Sequence, residues 1–298
     1  MNERRTATGE GERSRFYCSV LPVSRQGFYC FLKRRNTPWK YEDIADKMCA
    51  VVAEEEWNDT YGRSRMHDAL KLKDPEADIP GERTVYRIME RIGLRHRPQR
   101  KPNGITKTDK NARKSDDLLK RDFRSEKPLQ KCITDITDIP TKVGKLYVSA
   151  IFDCFDLGVP GLSMADKMRA DLCVSTVENA HKAFPGIEKA ILHSDRGSQY
   201  TGAVYRAALA RCGIVQSMNS DGGRCHDNAR CEAMWARMKE ELLYGRYDTK
   251  KMTISERKTL IWRYFIIYWN NRRICTANGG LPPMVMGQQY YDSLGQDA

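Results

Sequence analysis

Between residues 41 and 55, YEDIADKMCAVVAEE places Ile44, Met48, Val51 and Val52 at i, i+4, i+7 and i+8, the spacing of one buried helix face. GERTVYRIMERIGL at 81–94 repeats the pattern with Val85, Ile88, Met89 and Ile92, and Gly93 supplies a stop. The turn-like WNDTYGRSR and the stretch RMHDALK lie between them. Residues 95–124 lose this periodicity and carry many Lys and Arg, which predicts a basic linker. From 131 onward the period falls to two. KCITDITDI at 131–139 and LYVSAIFDCF at 146–155 predict two strands around TKVGK, and VPGLSM predicts a short third. A helix over 171–184, the strand AILHS, a helix near 201–212, the strand GIVQSM, and helices over 228–242 and 255–270 follow. In the second of these helices Thr201 is the expected cap and Gly213 the expected stop. Three early strands followed by alternating helix and strand predict an α/β domain with a mixed sheet. The expected domains are 1–94, helical; 95–126, linker; and 127–292, the α/β core.

Composition adds a partner class. Lys and Arg total 51 against 39 Asp and Glu, a formal net charge of +12 over 298 residues. Such an excess favours a polyanion, nucleic acid first and an anionic membrane second. No run approaches the roughly 18 apolar residues that a spanning helix needs, and MNERRTATGEGERSR lacks the apolar stretch of a signal peptide. A cytoplasmic protein is expected. Helices beside TYGRSR suit a small helix-turn-helix-like module that sets a helix against DNA, with Arg63 and Arg65 as contacts. A plain helical bundle with a solvated basic face has the same spacing.

Ten cysteines, at 18, 30, 49, 132, 154, 173, 212, 225, 231 and 275, contain no Cys-x-x-Cys pair. A structural zinc is therefore not expected, although Cys225, His226 and Cys231 lie close together. Several of the ten fall in apolar runs and read as reduced core residues.

Three acidic residues stand out by position. Asp135 interrupts an apolar strand beside Ile133 and Ile136, where a charge is costly to bury without compensation. Asp195 follows a strand exit, where open α/β sheets place functional groups. Glu232 lies on the predicted helix DNARCEAMWARMKEE. Such a trio suits two Mg²⁺ ions roughly 4 Å apart in phosphoryl transfer, since Mg²⁺ takes hard oxygen ligands. Asp195 as a simple helix cap remains open at this point, as does chance among 39 acidic residues.

TDIT at 134–137, HSDRGSQY at 193–200, and DNARCE with the following MK at 227–239 resemble the second-reading-frame transposases of the insertion-sequence-three family. That family belongs to the DDE transposase and retroviral integrase superfamily. VSRQGFYCFLKRR at 23–35, TYGRSR at 60–65 and YWNNRR…GGLPP at 268–283 extend the resemblance over nearly the whole chain. It implies a ribonuclease-H-like catalytic core, with Asp135, Asp195 and Glu232 as catalytic residues and metal ligands. It also implies two Mg²⁺ per site, with Mn²⁺ as substitute. Between Asp195 and Glu232 lie 36 residues, one more than the family's usual gap, with the extra residue assigned to NSDGGRCHD. Asp227 is then a helix start and Asp153 structural. Arg196, Ser198, Gln199, Asn228 and Lys239 are the expected DNA contacts near the site, with Lys239 two turns beyond Glu232. Cys132 stands where the family commonly has Trp, Asp156-Leu157 where it has Ser-Arg, and Cys275 where it has His; none removes a ligand.

The activity implied is cutting and joining of element ends by 3′-hydroxyl attack, on DNA ends and target. The partners implied are the upstream-reading-frame protein, or a fusion with it, and a second copy at synapsis, in a bacterial cytoplasm. The rivals are a nuclease that cleaves without joining and a catalytically silent DNA-binding relic. On any of these readings, log K for duplex DNA should fall by about 0.9 per phosphate neutralised as log salt rises. An affinity flat across a salt titration would contradict a phosphate-tracking surface.

Overall fold

The computed structural model describes residues 16–20, 23–35, 38–95, 115–120, 122–219, 229–244 and 246–296. Five strands form one sheet: β1 (Lys131–Pro140), β2 (Lys145–Asp153), β3 (Gly161–Ala165), β4 (Ile191–Ser194) and β5 (Val215–Met218). Their order is β3-β2-β1-β4-β5. The first three form an antiparallel meander, and β4 and β5 add in parallel on the far side of β1. This is the mixed sheet that the strand and helix order predicts.

The helices are α1 (Arg25–Arg35), α2 (Glu42–Glu54), α3 (Arg63–Lys73), α4 (Glu82–Arg91), α5 (Ala170–Ala183), α6 (Ser198–Thr201), α7 (Ala203–Arg211), α8 (Ala229–Met238), α9 (Ile254–Trp262) and α10 (Pro283–Gln296). Two become π-helical at their ends, α8 into Lys239–Leu243 and α9 into Arg263–Trp269. Alternation along the strands sorts side chains to the two sheet faces. Cys132, Ile136 and Ile151 join Cys173, Val177, Tyr205 and Leu209 of α5 and α7 in one core. Phe152 points the other way, with ring contacts to Trp235 of α8 and Phe265.

Two local expectations change. Thr201 does not cap the helix that follows it; α7 starts from Gly202, in extended backbone with no side-chain cap. Thr201 instead closes α6, its hydroxyl 3.4 Å from the Ser198 carbonyl. Gly213 does stop α7, at φ +64°, which L side chains rarely adopt. The nine described cysteines are free, and no described helix is long and apolar enough to cross a membrane.

The chain divides into two compact units, Met1–Lys47 and Met48–Ala298. In the first unit α1 buries none of its residues. The second holds α3 and α4 together with the sheet, and polar contacts explain why. The Asn58 amide oxygen accepts the Tyr268 hydroxyl at 3.1 Å, and the Tyr61 hydroxyl accepts the Ile274 N–H at 3.1 Å. Trp57 lies against Tyr264 and Tyr268. At the centre is Glu241, 4% exposed, in the π turn after α8. Arg273 holds it through Nη2 at 2.6 Å and Nε at 2.9 Å, Arg65 of α3 at 3.0 Å, and the Tyr264 hydroxyl at 2.8 Å. The linker stretch 96–114 lies outside the described residues.

Burial alone would raise the Glu241 carboxyl, but Arg273 and Arg65 outweigh it and hold the group down at about 2. A depressed acid contributes stability above its unfolded pKa and loses it as pH falls through the folded value. The contribution of Glu241 should therefore be complete above about pH 4.5 and fade toward about pH 2. Glu241→Gln leaves the buried Arg273 and the half-buried Arg65 short of a counter-charge and should cost about 3–5 kcal/mol in denaturant unfolding at neutral pH. A loss below about 1 kcal/mol would show that the cluster holds nothing together.

Candidate active site

The parallel pairing of β1 with β4 sets the site. Lys131, Cys132 and Ile133 lie opposite Ile191, Leu192 and His193. Two residues farther along each chain stand Asp135, opposite Ala150 on β2, and Asp195, just past the end of β4. Parity puts both on the face opposite Cys132 and Leu192, which lie in the α5–α7 core. That face carries α8, which packs on β1 and brings Trp235 and Glu232. The Trp235 indole N–H donates to Asp135 Oδ2 at 3.2 Å.

Burial, then the charge of Asp195, push the Asp135 carboxyl up to about 7; the Ile136 N–H and Trp235 oppose the shift, and Glu232 adds to it. Asp195 is also raised, by burial, against one opposing hydrogen bond from the Gly197 N–H to its Oδ1, 2.9 Å long. That bond is a two-residue Asx-type turn, not a helix cap, because α6 begins from Gly197 without a side-chain cap. Gly197 has an ordinary φ of −60°, and its close neighbour is the movable end of the Gln199 side chain. A Cβ there would come within 2.5 Å of Gln199 Nε2.

Two buried carboxylates that resist ionising beside one another, Asp135 and Asp195, are suited to a hard divalent cation. Among the described residues, though, no three of His, Cys, Asp or Glu already stand close enough to hold an ion. Asp135 and Asp195 are paired by the sheet, whereas Glu232 is exposed, at the start of a helix that follows residues 220–228, which are not described.

The expected DNA contacts separate. Arg196 Nε donates to the Asn219 carbonyl. Ser198 is exposed at the start of α6, and Gln199 folds back over Gly197. Lys239 opens the π turn after α8. Arg63 approaches Glu82 at 3.5 Å, and Arg65 is held by Glu241 and stacked 5.1 Å from the Tyr61 ring centre. Asn228, Asp227, Cys225 and His226 lie outside the described residues. His193 is a strut, bonding the Ser217 hydroxyl and the Asn219 side chain, each at 2.8 Å. Asp153 is structural as expected: its oxygens accept the Leu129 and Phe155 N–H groups.

Sequence reading missed Trp235 and the Glu241 cluster. Trp235 was accessible, since it lies three residues after Glu232 and so on a neighbouring part of the same helix surface.

The integrase core domain family matches residues 125–223. InsK, for insertion sequence element IS150 of Escherichia coli (strain K12), is 30% identical over 276 residues, 90% of this chain and 91% of that protein. Transposase InsF for insertion sequence IS3A of the same organism is 29% identical over 269 residues, 89% of this chain and 91% of that one. Among solved structures, the HTLV-2 integrase catalytic core domain in complex with magnesium overlaps 55% of this chain and 99% of its own, with TM-score 0.39 and 14% identity.

A raised acid loses folded stability as pH climbs from its ordinary value to the folded one, here to about 7 for Asp135. In EDTA at about pH 8, Asp135→Asn should melt a few degrees above the native chain, on the order of 1–2 kcal/mol, with the gain gone below about pH 4. Added Mg²⁺ should raise the native melting temperature and leave the variant's unchanged. A variant less stable than native at every pH would contradict the strain assigned to this carboxylate.

Proposed function

This chain belongs to the insertion-sequence-three family of transposases and carries an integrase core, and from that premise we propose that Asp135, Asp195 and Glu232 carry the cutting and joining of DNA ends. The observation behind the assignment is the register that sets Asp135 on β1 beside Asp195, just past the end of the parallel β4, with the helix of Glu232 packed across β1. Asp135, Asp195 and Glu232 would hold divalent metal, Mg²⁺ with Mn²⁺ as substitute, at two ions per site. Bound there, the metal would lower the pKa of the attacking hydroxyl and stabilise charge on the leaving oxygen.

The chain's own residues do the positioning. The sheet fixes the spacing of Asp135 and Asp195 before substrate arrives, so no loop has to order for those two. Trp235 aims one Asp135 oxygen through its indole N–H, and the Gly197 N–H restrains one oxygen of Asp195. No serine or cysteine nucleophile is called for, and burial pushes the thiols of Cys132 and Cys231 well up, out of the reactive range. Glu232 is supplied by α8, the helix packed across β1.

The substrate on this reading is the element's terminal DNA and a target duplex, with joining through a 3′-hydroxyl. The upstream-frame protein, free or fused, supplies further end recognition, and at least two copies act together at synapsis. A nuclease without joining and a silent relic make different products, so one experiment separates all three. A plasmid carrying the element's own ends is incubated with the chain, alone and fused to its upstream frame. Mg²⁺-dependent joined strands are expected, falling by at least 10³-fold in Asp135→Asn, Asp195→Asn and Glu232→Gln. Joining retained by any one of the three would remove that residue from the set. Cleavage without joining would favour the nuclease, and salt-sensitive binding without products the relic.

A further inference from the structure

Glu241 has two oxygens and about four lone-pair positions, and all are occupied. Oε1 accepts Arg273 Nη2 at 2.6 Å and Arg65 Nη1 at 3.0 Å; Oε2 accepts Arg273 Nε at 2.9 Å and the Tyr264 hydroxyl at 2.8 Å. Arg237 lies four residues before Glu241 along the same helical run, where side chains meet. Partial burial of its stem, then the charges of Arg273 and Arg65, disfavour its charged form while Glu241 favours it, so the four groups share one electrostatic neighbourhood. Arg237 is exposed and makes no hydrogen bond or ion pair among the described residues. With Glu241 saturated, the cluster carries three guanidinium groups against one carboxylate and has no internal acceptor left for the third.

We propose that Arg237 is an anchor for a DNA backbone phosphate on the flank of α8 away from the carboxylates. A guanidinium fork matches a phosphodiester, and the fixed charges of Arg65 and Arg273 strengthen the local field for an anion. The position excludes a role at the reacting atoms: Arg237 is five positions beyond Glu232 on the helix, roughly 140° around the axis and about 7.5 Å along it. The phosphate held there belongs to a neighbouring stretch of duplex, on the side where Arg65 of α3 lies. This assignment rests on the transposase reading, since that reading makes the anion DNA. It also relocates the basic contact expected from TYGRSR. Arg65 is spent on Glu241, and the exposed guanidinium comes from α8 instead.

The test measures binding of the full chain to a fluorescently labelled duplex of the element's end across a salt titration. Arg237→Ala should bind about tenfold more weakly at moderate salt, with a log–log salt slope shallower by about 0.9. Arg237→Lys should recover most of the slope. The Ala variant should melt no lower than native, because removing a like charge relieves the cluster. At saturating DNA, Mg²⁺-dependent joining by Arg237→Ala should match native. An unchanged slope and affinity in Arg237→Ala, with native binding normally, would overturn the anchor alone. A lowered melting temperature, or lost joining at saturating DNA, would also overturn it, in favour of a packing or active-site role. Native protein that binds no duplex at any salt would overturn the anchor and the transposase reading together.

Discussion

Three backbone pairs between β1 and β4 fix everything that follows at the site. A parallel ladder admits one register once one face of each strand is buried, because a one-residue slip would send every side chain to the opposite face. Here Cys132 and Leu192 are committed to the α5–α7 core, so Asp135 and Asp195 have no choice but the other face. The short β4 ends at Ser194, and the chain turns through the Asp195–Gly197 bond before it would otherwise carry the carboxylate past its partner. Two acids are thus held together by apolar burial some residues away. Their own electrostatics oppose the arrangement, as the raised Asp135 and Asp195 carboxyls show.

The third acid depends on a different device. α8 is seated by Trp235, which contacts Phe152 and Phe265 and hydrogen-bonds Asp135, and its far end is seated by Glu241. A buried ion pair is weak evidence for net stability but strong evidence for position, because any other arrangement leaves charges unpaired in the interior. Through Arg65 and Arg273 the Glu241 hub ties α3, the π turn after α8 and the segment following the second π run into one body. The helix bearing Glu232 and the helix following TYGRSR are therefore mechanically linked. π turns often mark functional positions, and here one lets Glu241 reach inward where a regular helix would place it differently.

Much of the fold was legible in the sequence, and the reasons are particular. β1, β2 and β5 show in their alternation or flanking turns, and α2, α4 and α5 show in their apolar stripes, because periodicity reports burial directly. Thr201 misled because a cap is judged from residue type alone, while the structure starts α7 one residue later, from Gly202. The ties between the early helices and the sheet were not legible for a similar reason. A drop in apolar content marks a linker along the chain, yet Asn58, Tyr61 and Arg65 bond residues far downstream that no local window contains.

The sequence by itself determined the class of chemistry, through TDIT, HSDRGSQY and DNARCE, and the net charge that suits a polyanion. It also determined which strands and helices exist, since periods of two and of 3.6 are written into the order of residues. Only the tertiary structure decided which cations remain available to a substrate. Arg63, Arg65 and Arg237 look alike in a sequence, and each contributes the same formal charge. Packing then places Arg63 beside Glu82, commits Arg65 to Glu241, and leaves Arg237 exposed with that carboxylate already full. The physical reason is saturation: a carboxylate has a fixed number of lone pairs, and which donors fill them is settled only when distant segments meet.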